Sequence, residues 1–479
     1  MKKFTTETEN FIREYAQSIL SGDAAVFIGA GLSREAGYLG WTDLLRDKAV
    51  EIGLDVDKEN SDLISLAQYY LNNKRQRTQI NESIRNFFAP SKDINPTNTH
   101  LLLSTLPIRS YWTTNYDRLI EKTFESRGIS CRAHFSDENL SISTNNAQII
   151  LHKMHGDVEN PNSAVIAKED YEKYDDTHEM MLAKFKGEMC SKTFLFLGYS
   201  FSDPNIHHIL ARIRKVFDKH AKQHYCIMKR VTKKENGKKT KDYEYKLIKQ
   251  DHQILDFKNY GVNVILVDDY SEINDILSEI KRRVYMKNVF ICGAYEDETA
   301  NKDIIAQLGT NLATWLVERG FKIFSGFGKN FGGHIVKGAF DGCTLGEGKD
   351  FNKQVSLFPF PYNVNLSPDD RAKLYTRLRE NMIASTQITI VICGEKKDDK
   401  GKLIPSPGVI EEVKIARNQG NLIIPVGVSG GAAKIVWEEM KSCPDKGYKK
   451  SDFEILNQDG TSYSKIYDSI QRIISNYCL

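Results

Sequence analysis

The 479-residue chain contains no C-x-x-C pair; its eight cysteines (Cys131, Cys190, Cys226, Cys292, Cys343, Cys393, Cys443 and Cys478) are scattered singly. That spacing excludes a four-cysteine zinc ribbon and a disulfide scaffold, and points to reduced thiols in a cytoplasmic protein with no metal. No apolar run approaches the ~18 residues needed to span a bilayer. The start, Met1–Asn10, lacks the apolar stretch of a signal peptide. Charge of one sign is also missing: the formal net charge is +3 with 27% charged residues, so no global field draws the chain to nucleic acid or a membrane. One stretch is basic (Lys229, Arg230, Lys233, Lys234, Lys238, Lys239 and Lys241 around Asn236-Gly237), but no aromatic side chain is interleaved there to stack bases. A solvated loop is the favoured reading over a nucleic-acid contact.

What is present is enough sequence for two or three domains with ample cores. Four short stretches stand in order along the first half: Gly29-Ala30-Gly31-Leu32-Ser33, Thr113-Thr114-Asn115-Tyr116-Asp117, His155-Gly156-Asp157, and Gly198 to Asn205 with Ser200 and Asp203. The first follows the apolar run Ala24–Ile28, so it reads as a strand turning through glycine into a helix. Such a turn aims backbone N–H groups at an anion, usually a pyrophosphate. The second sets a carboxamide and a carboxylate two residues apart after the strand-like Ile108–Trp112. The third offers an imidazole after the strand-like Gln148–Met154. Between the first two, residues 43–106 carry apolar positions at i, i+3 and i+4, as in Leu63, Leu66, Ala67, Tyr70 and Leu71, which predicts a helical insertion.

These motifs, in this order, resemble the sirtuin family over roughly residues 10 to 285. The resemblance implies NAD bound on the GAG-x-S loop (Gly29, Ala30, Gly31, Ser33) and a catalytic pair, Asn115 and His155. Ser33 is expected to cap the helix after the loop and face the phosphates; Gly198, Ser200 and Asp203 are expected to contact the adenosine side. Two readings stand for Asp117: an anchor for the ribose or its supporting groups, or an Asx-turn or N-cap for the helix Leu119–Phe124. His152 points to the opposite face of its strand from His155. Deacylating sirtuins carry a zinc ribbon and a Gly-Ile-Pro-Asp-Phe-Arg segment; here that segment is Gly37-Tyr38-Leu39-Gly40-Trp41. NAD chemistry without acyl-lysine transfer is the expectation.

A second α/β rhythm starts near Lys287, giving expected domains 1–286 and 287–479. Strand-like Val289–Cys292, Phe321–Ser325, Gln354–Phe358, Gln387–Cys393 and Asn421–Val426 alternate with helical patterns, so the fold class is α/β with two Rossmann-like, doubly wound parallel-sheet domains. This half resembles the SLOG superfamily of nucleotide-ligand domains. The resemblance rests on Gly293, the loop Ser325-Gly326-Phe327-Gly328 with Gly332-Gly333, and Pro407-Gly408 opening a helix, with Glu412 in the turn after Pro407-Gly408. Those glycine loops offer N–H donors to phosphates. Arg379 and Lys396, flanking the Gln387–Cys393 strand, are candidate counter-charges, set against an exposed helix position for Arg379 and a charged turn, Glu395–Lys400, for Lys396. Glu412 is a candidate acceptor from ribose hydroxyls.

A sirtuin-like unit followed by a SLOG unit is similar to the NAD-consuming effector family of the bacterial Thoeris anti-phage system. That resemblance implies an NAD hydrolase switched on by a cyclic ADP-ribose isomer made by a TIR-domain protein, and self-association as a tetramer. Three alternatives remain at this point: an NAD-dependent deacylase, a non-catalytic nucleotide sensor, and a phosphoribohydrolase seated in the second half.

Overall fold

A computed structural model describes residues 3–59, 62–89, 94–141, 146–199, 222–233, 240–345, 349–361, 365–442 and 448–478. The chain divides into two compact units, Met1–Lys281 and Arg282–Leu479. Strands of the first unit are β1 (Ala24–Ile28), β2 (Ser110–Thr113), β3 (Cys131–His134), β4 (Ile149–Lys153), β5 (Thr193–Leu197), β6 (His224–Lys229) and β7 (Val262–Val267). Those of the second are β8 (Asn288–Cys292), β9 (Lys322–Ser325), β10 (Val355–Leu357), β11 (Ile388–Ile392), β12 (Glu395–Lys397), β13 (Leu403–Pro405) and β14 (Leu422–Val426).

The first unit is built on a seven-stranded sheet ordered β3-β4-β2-β1-β5-β6-β7, with every pair parallel. Its middle strands read as continuous apolar runs because helices cover both faces of a parallel sheet. All five residues of Ala24–Ile28 and of Thr193–Leu197 are buried. From β1 the chain passes to β2, then to the edge strand β3, back to β4 between β3 and β2, and then crosses to β5 on the other side of β1. That reversal makes a crevice at the carboxyl ends of β1 and β5, where open α/β sheets bind ligands. The helical insertion is present as Trp41–Glu51, Leu63–Lys74, Thr78–Phe88 and Asn98–Leu103. It forms its own apolar cluster (Leu44, Leu45, Leu66, Tyr70, Ile80, Ile84), which also takes in Tyr116 and Val158 from the loops after β2 and β4. The insertion thus packs directly onto the segments that carry Asn115 and His155.

The second unit has a five-stranded parallel sheet ordered β10-β9-β8-β11-β14, reversing at β8 in the same way. Helices Lys302–Glu318 and Gly332–Leu345 pack closely because Gly338 faces the backbone of Thr310; a Cβ there would lie 2.0 Å from the Thr310 carbonyl oxygen. One element departs from the sequence reading. The expected charged turn at Glu395–Lys400 opens as a strand, β12, paired antiparallel with β13, with Lys396 opposite Ile404. The charges there gave no alternation to mark a two-stranded ribbon. In the basic segment, Lys229 pairs with Asp269 at 3.4 Å and Arg230 with Asp268 at 3.1 Å; residues 234–239 lie outside the described residues.

Backbone contact between glycines sets the crevice in the first unit. Gly198 has φ +63°, and a Cβ on it would stand 2.6 Å from the Leu32 nitrogen; Cβ atoms on Gly29 and Gly31 would strike Gly198 in turn. Gly198→Ala therefore combines a left-handed backbone with a collision, a cost of about 1–3 kcal/mol for the backbone alone. Gly22→Ala has a similar φ, +77°, but open space around the new methyl group. Calorimetry should show a clearly larger fall in melting temperature for Gly198→Ala than for Gly22→Ala.

Candidate active site and ligand pocket

Four strand ends stand in register at the crevice. Ile28 is level with Thr113 and Leu197, and Thr113 with Lys153. Asn115 and His155 each lie two residues beyond a level pair on adjacent strands, which run about 4.8 Å apart. Both side chains therefore leave the same edge of the sheet from neighbouring loops. Thr113 is the peg for the first loop: its hydroxyl donates to the Ile28 carbonyl at 2.7 Å and accepts from the Asn115 N–H at 2.9 Å.

The Asn115 carboxamide is oriented by a relay. Ser33 Oγ donates to Asp117 Oδ2 at 2.6 Å and accepts from Asn115 Nδ2 at 2.9 Å. An ionised carboxylate only accepts, so the serine proton is committed to Asp117 and its lone pair takes the amide N–H. This directs Asn115 Oδ1, an acceptor with no bond among the described residues, away from the relay. Asp117 Oδ1 meanwhile accepts from the Leu119 N–H at 2.9 Å. Asp117 closes the expected Asx-turn and also positions the neighbouring serine; both of its oxygens are used internally. The expectation for Ser33 is corrected: the helix begins at Ala30 with Gly29 at its N-cap, and Ser33 is buried within it rather than capping it. The helix starts early because the Gly31 N–H is held by the Gly198 carbonyl at 2.8 Å.

His155 is buried, with the Tyr171 ring edge-on at 5.5 Å and Tyr174 at 6.2 Å. Its carbonyl accepts from the Val165 N–H at 3.0 Å, and Gly156 follows at φ +93° against the Ser163 carbonyl. His152 sits in the core, stacked on Trp112 at 4.1 Å, where burial pushes its imidazole down to about 3. Ser200 and Asp203 lie outside the described residues. Among the described residues no group of three His, Cys, Asp or Glu side chains is disposed to hold a metal ion.

In the second unit, loop backbones meet at the switch point. A Cβ on Gly293 would lie 2.2 Å from the Ile392 carbonyl oxygen, and one on Gly328 would lie 2.0 Å from that of Gly293. Ser325 is buried and its hydroxyl accepts from the Phe327 N–H at 3.2 Å. Phe327 is left-handed at φ +55° yet exposed, a strained placement for a bulky residue. Gly326 faces Phe360 and Glu412, with Glu412 Oε1 3.6 Å from where a Cβ would stand. Arg379 completes this group. Its Nη1 donates to Glu411 Oε2 at 2.8 Å, its Nε lies 3.8 Å from Glu412 Oε1, and its guanidinium lies over the Phe360 ring at 4.8 Å. With its side chain 11% exposed, Arg379 is not the exposed helix residue of the alternative reading. Lys396 is not drawn into this group by any described contact. It is exposed on β12, and its neighbours Glu395 and Lys397 bond to Thr299 and Glu298.

Comparison with known families places both units. Residues 109–250 match the SIR2-like domain, and residues 272–477 match the Sir2- and TIR-associating SLOG family. The NAD(+) hydrolase ThsA of Enterococcus faecium is 36% identical over 477 residues, 97% of each chain; that of Bacillus cereus strain MSX-D12 is 35% identical over 476 residues, 98% of each. The chain belongs to the ThsA family of NAD(+) hydrolases. Defense-associated sirtuin 2 of Bacillus subtilis is 26% identical over 211 residues, 43% of this chain and 20% of its own length.

Four residues that shape these sites in this ThsA-family chain were not singled out by the sequence. Thr113 and Glu411 stood inside quoted motifs, but their partners come from other elements. Phe360 carried no periodic signal. Lys153 did leave a trace: a single cation closing an apolar strand, four residues before an aspartate.

Burial pushes the Glu412 carboxyl up to about 7, Arg379 pulling it back and Glu411 adding to the rise. Between its ordinary value and about 7 the folded unit holds a proton that the unfolded chain has released. Its contribution to stability is therefore full below the ordinary carboxylate range and lost as pH rises through about 7. Glu412→Gln removes this dependence. Thermal unfolding should show the melting temperature of Glu412→Gln gaining on the natural chain between about pH 5 and about pH 8; parallel curves would show that Glu412 is not the group titrating.

Proposed function

We infer that the chain is an NAD(+) hydrolase acting in defence, and we propose that its chemistry is carried by Asn115 and His155. The observation behind this reading is the Asn115–Ser33–Asp117 relay, which presents an amide oxygen at the same sheet edge as a buried imidazole. Hydrolysis of NAD breaks the bond from ribose C1′ to nicotinamide, and the ring leaves neutral from an oxocarbenium-like transition state. A water attacks C1′ and its proton is taken up, giving ADP-ribose, nicotinamide and a proton. Asn115 Oδ1 would accept from a ribose hydroxyl or from that water, holding it in line. His155 would take the proton as general base. The loop Gly29-Ala30-Gly31 brings a helix start to the pyrophosphate, its Gly29 and Gly31 N–H groups being bonded to the Leu197 and Gly198 carbonyls, and Gly198 leaves room for the loop.

The second unit, on this reading, binds a cyclic ADP-ribose isomer supplied by a TIR-domain protein and turns hydrolysis on within a homotetramer. Support comes from the association of its family with Sir2 and TIR, and from a guanidinium and strained glycine loop gathered at a switch point. To move a resting protein from 1:99 to 99:1 active, the ligand must prefer the active state by about 5.5 kcal/mol, within reach of two phosphates on charged and N–H donors.

Nicotinamide release from NAD by the full chain, with and without a panel of cyclic ADP-ribose isomers, tests both parts. Asn115→Ala and His155→Ala should each lower turnover by about 10²–10⁴-fold, and a retained rate removes that residue from the mechanism. Arg379→Ala should leave protein folded but unresponsive to the isomer that activates the natural chain. Activity indifferent to every isomer would refute the gating role of the second unit.

A further inference from the structure

The first site contains a buried ammonium that the mechanism does not use. Lys153, the last residue of β4, has a side chain 0% exposed. Its Nζ donates to the Tyr116 carbonyl at 3.1 Å, the Asp117 carbonyl at 2.6 Å and Glu121 Oε1 at 3.2 Å, and it also bonds Asp157 Oδ2. Two of these acceptors belong to the loop that carries Asn115, and Asp157 belongs to the loop that carries His155. Asp157 Oδ1 takes the Glu159 N–H at 2.8 Å, so the carboxylate also closes its own turn. Glu121, in contrast, lies in the helix Leu119–Ser126, its other oxygen buried without a partner among the described residues.

An ammonium buried this completely persists only when its donors are satisfied and its charge is countered. Burial raises the Glu121 carboxyl while the Lys153 ammonium offsets part of that rise, and Arg118 Nε stands 3.9 Å from Glu121. Asp157 is the carboxylate in closest contact with the ammonium. The bonds to the Tyr116 and Asp117 carbonyls fix the backbone immediately after Asn115, and Asp117 leads through Ser33 to the Asn115 amide.

We propose that Lys153 is a positioning residue that latches the Asn115 loop to the His155 loop, setting the separation of the two catalytic side chains. The proposal rests on the assignment of Asn115 and His155 as that pair. Without the ammonium, four acceptors from three segments would face one another, and the two loops would lose their shared anchor. Misplacement of catalytic groups by about 1 Å costs on the order of 10²-fold in rate, with little effect on substrate affinity where binding is made by the glycine loop.

The test compares two nearly isosteric changes on the same cation, in the full-length chain, under whichever isomer condition gives nicotinamide release. Asp157→Asn and Glu121→Gln each remove one carboxylate beside Lys153 and should lower the melting temperature alike. Only Asp157→Asn loosens the His155 loop, so its kcat should fall at least about tenfold with KM within about threefold, while Glu121→Gln stays within about threefold in both. Lys153→Met should follow Asp157→Asn in kcat; should it fail to fold, the two carboxylate variants decide. Equal kcat losses in both variants, or none in Asp157→Asn, would overturn the latch while leaving the Asn115/His155 assignment standing. An unaltered rate in His155→Ala measured alongside would overturn the assignment and the latch together.

Discussion

The register of four parallel strands holds the first site together. Because Ile28, Thr113, Lys153 and Leu197 lie level across the sheet, the loops that continue from them leave from one edge, and their first few residues meet. Parallel pairing here is buried on both faces, so a slip of one residue would exchange the side chains packed against the two covering layers of helices. The apolar runs Ala24–Ile28 and Thr193–Leu197 keep their strands at the centre of the sheet through burial. The residues just beyond each strand end are then free to be polar: a glycine turn, a carboxamide, an imidazole. Polar groups are tolerated there because each finds a partner across the loops, Ser33 with Asp117 and Asn115, and Lys153 with two carbonyls and two carboxylates.

The second unit uses the same geometry to a different end. Its glycines bring backbone to within contact at the switch point, and Arg379 is held between two carboxylates and an aromatic face rather than projecting into solvent. A guanidinium so paired is preorganised for an anionic ligand but already engaged, so a ligand gains from it only by competing with Glu411. Glu412, its carboxyl raised to about 7 by burial, would when protonated lower the repulsion that a phosphate-bearing ligand meets. On the proposed reading these properties suit a unit that stays silent without its ligand.

Buried charge is accommodated in two ways along the chain. Lys153 and Glu412 are both removed from water, yet they solve the problem differently. Lys153 stays charged because four acceptors surround it, as burial of an ammonium demands. Glu412 has one cation at 3.8 Å and a neighbouring carboxylate, so its carboxyl is raised to about 7 and takes up a proton far more readily than a solvated one. His152, against Trp112 with no described hydrogen-bond partner, is held neutral by burial and takes no part in the site.

Most strands were legible in the sequence because their signal is local: apolar runs bounded by glycine or polar residues recur at β1, β8, β9 and β14 within a residue of their observed limits. The loops bearing Asn115, His155 and Gly326 were legible for the same reason, as their residue types come directly after strands. The helical insertion showed through its periodicity. Tertiary structure decided what depends on distant partners. Ser33 became a link between Asn115 and Asp117, not a cap, because the glycine contact started its helix earlier. Lys153 acquired a role only once Glu121, Asp157 and the Tyr116 and Asp117 carbonyls were folded around it. Arg379, which the sequence left open between a counter-charge and an exposed helix position, is largely covered where the helix starting at Pro407 brings Glu411 and Glu412 beside it, while Lys396 went to an exposed hairpin. Composition and periodicity report which face of an element is apolar; they carry no information about which polar groups from separate elements will meet, and that is where the chemistry of this chain resides.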